Sequence, residues 1–153
     1  MGKIKIGHVE VDDKLEIFIL EDTVMYQKRM ITSLKSIGFK GKITVSNSVV
    51  AAQKQITVEN PGLILLDWNL PDGQGIEFLK FLRGEKKFNH VPILMVTTEG
   101  DSSHVIEAVM NGADDYVVKP YYETDLVEKF SYAFEKRMAK DDPNEITLDL
   151  RNT

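Results

Sequence analysis

The amino-acid sequence predicts an α/β protein, a doubly wound five-stranded parallel sheet with helices on both faces. Two observations carry that expectation. Short apolar runs recur five times, and most are followed by a stretch with helical spacing. The runs are continuous rather than alternating, as strands buried on both faces require. Strand and helix in alternation then call for parallel pairing with right-handed crossovers.

The first run, Ile17-Phe18-Ile19-Leu20, is short, β-branched and aromatic. After Glu21-Asp22-Thr23 comes a helical stretch with Met30, Leu34 and Ile37 on one side, and Gly38 can close it with a left-handed cap. Ile43-Thr44-Val45 is a weaker strand. Ser46, Asn47 and Ser48 offer N-caps for a helix to about Ile56. Pro61-Gly62 punctuates, and Leu63-Ile64-Leu65-Leu66 is the third strand, ending in Asp67. A loop with Pro71, Gly73 and Gly75 leads to a helix with Ile76, Leu79 and Leu82 inward. Pro92 opens the fourth strand, Ile93-Leu94-Met95-Val96. Asp101 or Ser102 caps the next helix, which is expected to bury Val105, Ile106 and Val109. Tyr116-Val117-Val118 is the fifth strand, and the last helix runs from about Glu123 to Met138 with Leu126, Phe130 and Ala133 inward.

Two pieces lie outside this alternation. Residues 1–14 carry Ile4, Ile6, Val9 and Val11 with a phase break near Gly7, and residues 141–153 alternate Ile146, Leu148 and Leu150. Either is a loose tail or a strand; if strands, the two are expected to pair with each other or between subunits.

At 153 residues the chain is the size of one compact domain. Its 42% hydrophobic and 28% charged residues suit a globular protein. The net charge of −5 argues against a nucleic-acid-binding surface and suits metal cations or basic partners. The absence of cysteine excludes disulfides, thiolate zinc sites, iron–sulfur clusters and a catalytic thiol. No apolar run approaches the ~20 residues of a membrane span. Met1 to Ile6 starts positive but has no apolar core behind it, unlike a signal peptide. Gly7 stands where a myristoylation signal needs Ser or Thr. A cytoplasmic address is expected.

Open parallel sheets bind ligands beyond the carboxyl ends of their strands. Glu21 and Asp22 follow the first strand, Asp67 the third, Thr97 the fourth and Lys119 the fifth. Each alone has a dull explanation, a helix cap or a solvated charge; together they form a chemistry. Three clustered carboxylates repel one another, so a cation is needed to keep them ionised. Oxygen-only ligands favour a hard ion, and Mg²⁺ also welcomes phosphate oxygens. A carboxylate can accept a phosphoryl group, with Lys119 and Thr97 placed to stabilise its oxygens.

Glu21-Asp22, Leu66-Asp67-Trp68-Asn69-Leu70-Pro71, Val96-Thr97-Thr98-Glu99 and Tyr116-Val117-Val118-Lys119-Pro120 resemble the motif set of response-regulator receiver domains, over roughly residues 15–138. The resemblance implies a flavodoxin-like sheet of strand order 2-1-3-4-5. It implies an N-terminal extension over residues 1–14, a receiver domain over 15–140 and a C-terminal tail over 141–153. Asp67 matches the phosphoacceptor, Asp22 the direct Mg²⁺ ligand, Glu21 the acidic neighbour holding a metal-bound water, and Asn69 the donor of a backbone carbonyl. Thr97 and Lys119 match the phosphoryl-contacting pair. Tyr116 matches the aromatic that changes rotamer on activation, moving inward behind Thr97. The Lys119–Pro120 peptide is commonly cis in the family. Asn69 and Glu99 flank the expected line of attack by water. Departures are Gly73-Gln74-Gly75 after the loop proline, Glu21 for the commoner Asp, and Thr98 for a frequent Ala.

Other motifs are weak. Gly73-Gln74-Gly75 lacks the third glycine of a dinucleotide site. A haloacid-type phosphatase would carry Asp where Asn69 stands. His8, His90 and His104 lack metal-ligand spacing and read as surface or satisfied residues, and one of Tyr121 and Tyr122 is expected in the core. The expected function is a single-domain, self-dephosphorylating response regulator. It takes phosphoryl from a histidine kinase and binds an output partner through residues 101–138, with the flagellar motor switch of chemotaxis as the leading output. A phosphatase is a further partner. The alternatives are a phosphorelay intermediate serving a histidine phosphotransfer protein, and an interaction module without turnover. A monomer is expected, with the tails as the candidate route to a dimer.

Overall fold

The computed structural model describes residues 2–141, with side chains to Met138. Five parallel strands form the central sheet: β3 (Ile17–Leu20), β4 (Ile43–Ser46), β5 (Leu63–Leu66), β8 (Ile93–Thr97) and β9 (Asp115–Val118). Their spatial order, β4-β3-β5-β8-β9, is the reversing 2-1-3-4-5 arrangement. Two antiparallel ribbons stand apart from it, β1 (Lys3–Ile6) with β2 (Val9–Asp12), and β6 (Asn69–Leu70) with β7 (Gly73–Gln74). The helices are α1 (Val24–Ile37), α2 (Val49–Gln55), α3 (Gly75–Arg83), α4 (Ser102–Met110) and α5 (Glu123–Asp141).

Strand side chains point alternately to the two faces, so each buried strand feeds two cores. Phe18, Leu20, Ile64, Leu66, Ile93, Met95 and Tyr116 meet Ala52, Leu79, Leu82 and Ala108 from α2, α3 and α4. Ile17, Ile19, Leu63, Leu65, Leu94, Val96 and Val117 meet Met30, Leu34, Leu126 and Phe130 from α1 and α5. Local signals set the helix ends. Ser48 Oγ accepts the Ala51 amide at 3.1 Å, and Asp101 caps α4 through the His104 amide. The Gly38 amide closes α1 on the Leu34 and Lys35 carbonyls.

In α4 the inward stripe is not the expected one. Ala108 is buried and Val105 partly so, whereas Ile106, Val109 and Met110 face solvent. The helix is short and apolar nearly all round, so periodicity did not select the side that meets the sheet.

The N-terminal residues form a hairpin of their own. Ile4 pairs with Val11 and Ile6 with Val9. The local partner of β1 is thus β2, while the C-terminal alternation, and with it the expected pairing to residues 146–150, lies outside the described residues. Gly7, at φ +63°, supplies the left-handed conformation of the turn. Ile6, Val9 and Val11 are buried with Phe39, Phe130 and Phe134, while Lys5 opposes Glu10 on the outer face. The hairpin thus extends the core over α5.

The amino edge of the sheet holds a buried ion network. The Asp114 carboxylate accepts from Arg83 (α3) at 2.9 Å, from Arg137 (α5) at 2.7 Å and from the Ile93 amide at 2.9 Å. Burial, then the neighbouring Arg137 charge, lowers the Arg83 pKa to about 10, against the pull of Asp114. Asp114→Asn strips two buried guanidinium groups of their counter-charge and is expected to cost about 3–5 kcal/mol, read as a lower midpoint in urea unfolding.

Candidate functional site

Parallel registry brings the chemistry to one edge. Leu20 lies level with Leu66, Leu66 with Met95, and Thr97 with Val118. The residues that end or follow these strands, Glu21, Asp67, Thr97 and Lys119, therefore emerge together. Backbone bonds fix their exits: the Asp67 amide donates to the Leu20 carbonyl at 2.9 Å, and the Lys119 amide to the Thr97 carbonyl at 2.8 Å.

Lys119 is the centre of the set. Its buried ammonium donates to Glu21 Oε1 and, at 3.1 Å, to Asp67 Oδ2. It also sits 4.2 Å from the centroid of the Tyr26 ring, a cation–π contact. Asp67 Oδ1 accepts the Trp68 amide at 2.7 Å, and Glu21 Oε2 accepts the Thr23 amide at 3.0 Å. Burial raises the Glu21 pKa, assisted by the charge of Asp67 and opposed by hydrogen bonds from Lys119 and Thr23.

Carboxylate oxygens of Glu21, Asp22 and Asp67 lie within 4.8 Å of one another; Glu21 and Asp67 are buried and Asp22 is exposed. Three negative charges against one ammonium leave an excess of two (3 − 1 = 2), and all three donors are hard oxygens. That donor set fits a hard divalent cation.

The other expected residues surround this cluster. Thr97 is fully buried, and its Oγ1 accepts the Glu99 amide at 3.3 Å. Asn69, in β6, turns its side chain to Glu99 Oε1 at 2.6 Å. Tyr116 is already packed inward, its hydroxyl donating to the Glu99 carbonyl. The ring lies among the buried residues of the core under α3 and α4. The Lys119–Pro120 peptide is cis. Tyr121 packs on the α1–α5 core while Tyr122 is 80% exposed.

Several contributors carried no sequence signal. Tyr26 sits in the first turn of α1, and only the fold carries it under Lys119. Asp72 caps α2 from the β6–β7 turn, accepting the Val49 and Val50 amides at 2.8 and 2.9 Å. These two bonds lower its pKa. Gly75 starts α3 against the site loop, its amide donating to the Trp68 carbonyl at 2.7 Å, and a Cβ there would stand 1.8 Å from the Asp67 carbonyl oxygen. The Gly73-Gln74-Gly75 departure thus includes a glycine required by close approach.

Comparison with known proteins agrees with this geometry. The response regulator receiver domain profile matches residues 17–131. The chain belongs to the response-regulator receiver family. It is 31% identical over 115 residues to a chemotaxis protein CheY homolog of Campylobacter jejuni, covering 75% of this chain and 88% of that protein. It is 28% identical over 115 residues to chemotaxis protein CheY1 of Helicobacter pylori, covering 75% and 93%. Among solved structures, a putative response regulator from Chloroflexus aurantiacus superposes with a TM-score of 0.72 at 26% identity, covering 79% of this chain and 98% of the other. The receiver match begins after the hairpin, so β1 and β2 lie outside the shared domain.

Two outcomes follow for the receiver. Gly75→Ala must displace the Asp67 backbone and is expected to lower the unfolding midpoint and weaken divalent binding, both measurable by titration. The Tyr116 pKa is pushed up to about 12 by burial, then by the Glu99, Asp101 and Asp67 charges. Between about 10 and 12 the unfolded tyrosine loses its proton first, so stability falls as pH rises through that window. Denaturant midpoints across the window should fall less steeply in Tyr116→Phe.

Proposed function

We propose that this receiver accepts a phosphoryl group on Asp67 from a histidine kinase, in a divalent-cation-dependent reaction, and uses it to control binding of an output protein. The observation carrying the reading is the Lys119 ammonium shared between Glu21 and Asp67, beside the three-carboxylate cluster. An Asp67 oxygen attacks the phosphorus of a phosphohistidine. The P–O bond forms as the P–N bond breaks, and the imidazole leaves with a proton. Lys119 then turns from Asp67 toward the transferred oxygens, and the Thr97 hydroxyl donates to another. Glu21, Asp22, Asp67 and the Asn69 carbonyl would hold Mg²⁺, whose charge offsets that of the phosphoryl oxygens.

The coupling outward runs through Thr97 and Tyr116. A charge-assisted bond from Thr97 is worth roughly 1.5–3 kcal/mol, and it favours the rotamer in which Tyr116 fills the space behind it. The output surface is α4, β9 and α5, roughly residues 101–138. Ile106, Val109, Met110, Val118 and Tyr122 are all exposed there, an apolar surface of the kind that marks a protein-docking site. The named relatives are chemotaxis proteins; this supports a chemotactic output, with the motor switch as its target, in the cytoplasm.

The test is labelling with a small-molecule phosphodonor followed by intact-mass measurement. One phosphoryl group is expected on wild type with Mg²⁺, none after chelation and none on Asp67→Asn. Full labelling of Asp67→Asn would falsify the assignment.

A further inference from the structure

His104, in the first turn of α4, is bound on three sides. Its Nδ1 meets Asp101 Oδ1, its Nε2 lies 4.0 Å from Glu99 Oε2, and its ring stands edge-on to Trp68 with centroids 4.5 Å apart at 79°. The side chain is 27% exposed, which makes it the satisfied residue of the two readings its sequence allows. Trp68 follows Asp67 and is itself buried. The carboxylate that His104 faces is the one whose other oxygen holds the Asn69 amide at 2.6 Å. Asn69 and Glu99 stand two residues beyond Asp67 and Thr97, on loops bordering the same site, and their side chains join across it.

We infer that His104 is a positioning residue that fixes Glu99 against Asn69, making a strap across the mouth of the Asp67 site that limits access of water and phosphodonor. Asp101 orients the imidazole through Nδ1, so Nε2 is left pointing at Glu99. Trp68 sets the plane of the ring. Without the imidazole, Glu99 is a long, solvent-facing side chain whose rotamer freedom opposes a fixed bond. The strap is bounded by Tyr116, which holds the Glu99 carbonyl, and by Thr97, which holds its amide; the backbone of residue 99 is therefore pinned independently of His104. Only the carboxylate is freed when the imidazole is removed. This inference rests on the phosphoacceptor reading of Asp67 for its kinetic consequence, but not for the strap itself.

Two measurements separate these layers. The first is NMR of the Asn69 side-chain amide in the full chain. It is expected to be shifted and slow to exchange in wild type, and to become solvent-like in His104→Ala and in Glu99→Ala. An Asn69 amide unchanged in His104→Ala overturns the strap. The second is the lifetime of the phosphorylated protein, made with acetyl phosphate and Mg²⁺ and followed after removal of donor. His104→Ala is expected to shorten it up to about fivefold, the factor that one exposed ion pair supplies. His104→Gln, which keeps an N–H near the Nε2 position, should restore most of it. Adding His104→Ala to Glu99→Ala should change nothing more, because the histidine acts through that carboxylate. The Mg²⁺ titration midpoint, read from Trp68 fluorescence, should not move. Additive effects in the double variant, or a Mg²⁺ midpoint that shifts with the lifetime, would show a general structural role and overturn the inference. A wild type that gains no phosphoryl group removes the reading beneath the kinetic arm and overturns the role in access, while the amide measurement still decides the strap.

Discussion

The ammonium of Lys119 is the interaction on which the rest of the carboxyl edge depends. Two buried carboxylates cannot share a low-dielectric edge without a counter-charge, and Lys119 reaches both Glu21 and Asp67. Those three groups are spread over 98 residues of the chain. They meet only because β3, β5 and β9 run parallel and end level. The reversal of strand order at β3 adds the crevice where Asp22 stands exposed. Tyr26 completes the seat by giving the ammonium an aromatic face rather than a fourth carboxylate.

The two ends of the sheet are stabilised in different ways. At the amino edge, Asp114 is fully paired with Arg83 and Arg137, whose remaining donors reach the Phe88, Asn89 and Gly112 carbonyls. Every charge there has a partner within the protein, and helices α3 and α5 are tied to the ends of β8 and β9. At the carboxyl edge the negative charge exceeds the positive. The imbalance is confined to loops, so a change of charge there can be answered by side chains without loosening the helices from the sheet.

Much of the fold was legible because a doubly covered parallel sheet writes its strands as unbroken apolar runs. The residues just past those runs were legible for the same reason. A strand such as Leu63–Leu66 names its own end, and with it Asp67. What could not be read were matters settled by neighbours distant in sequence. In α4 a helix apolar on most sides gave no preference, and the sheet chose Ala108 over Ile106 and Val109. Ile4 found Val11 through a glycine turn, a local pairing that a phase break at Gly7 disguised. Gly75 was legible only as part of a departure from the family pattern, and its need for a bare Cα shows only in the close approach of the Asp67 backbone. His104 had no ligand spacing, and its role appears only once Trp68, Glu99 and Asp101 are seen around it.

The hairpin has a consequence for how the chain is made. Residues 3–12 are made before the rest of this fold and can close their local ladder at once, since its contacts span few residues. Yet the apolar side they present, Ile6, Val9 and Val11, is covered by Phe130 and Phe134 of α5. Those rings are synthesised last among the core residues of the domain. Until α5 is made, the hairpin therefore lacks the larger part of the cover over its apolar face. Docking of α5 onto that face joins the first and last elements of the described fold.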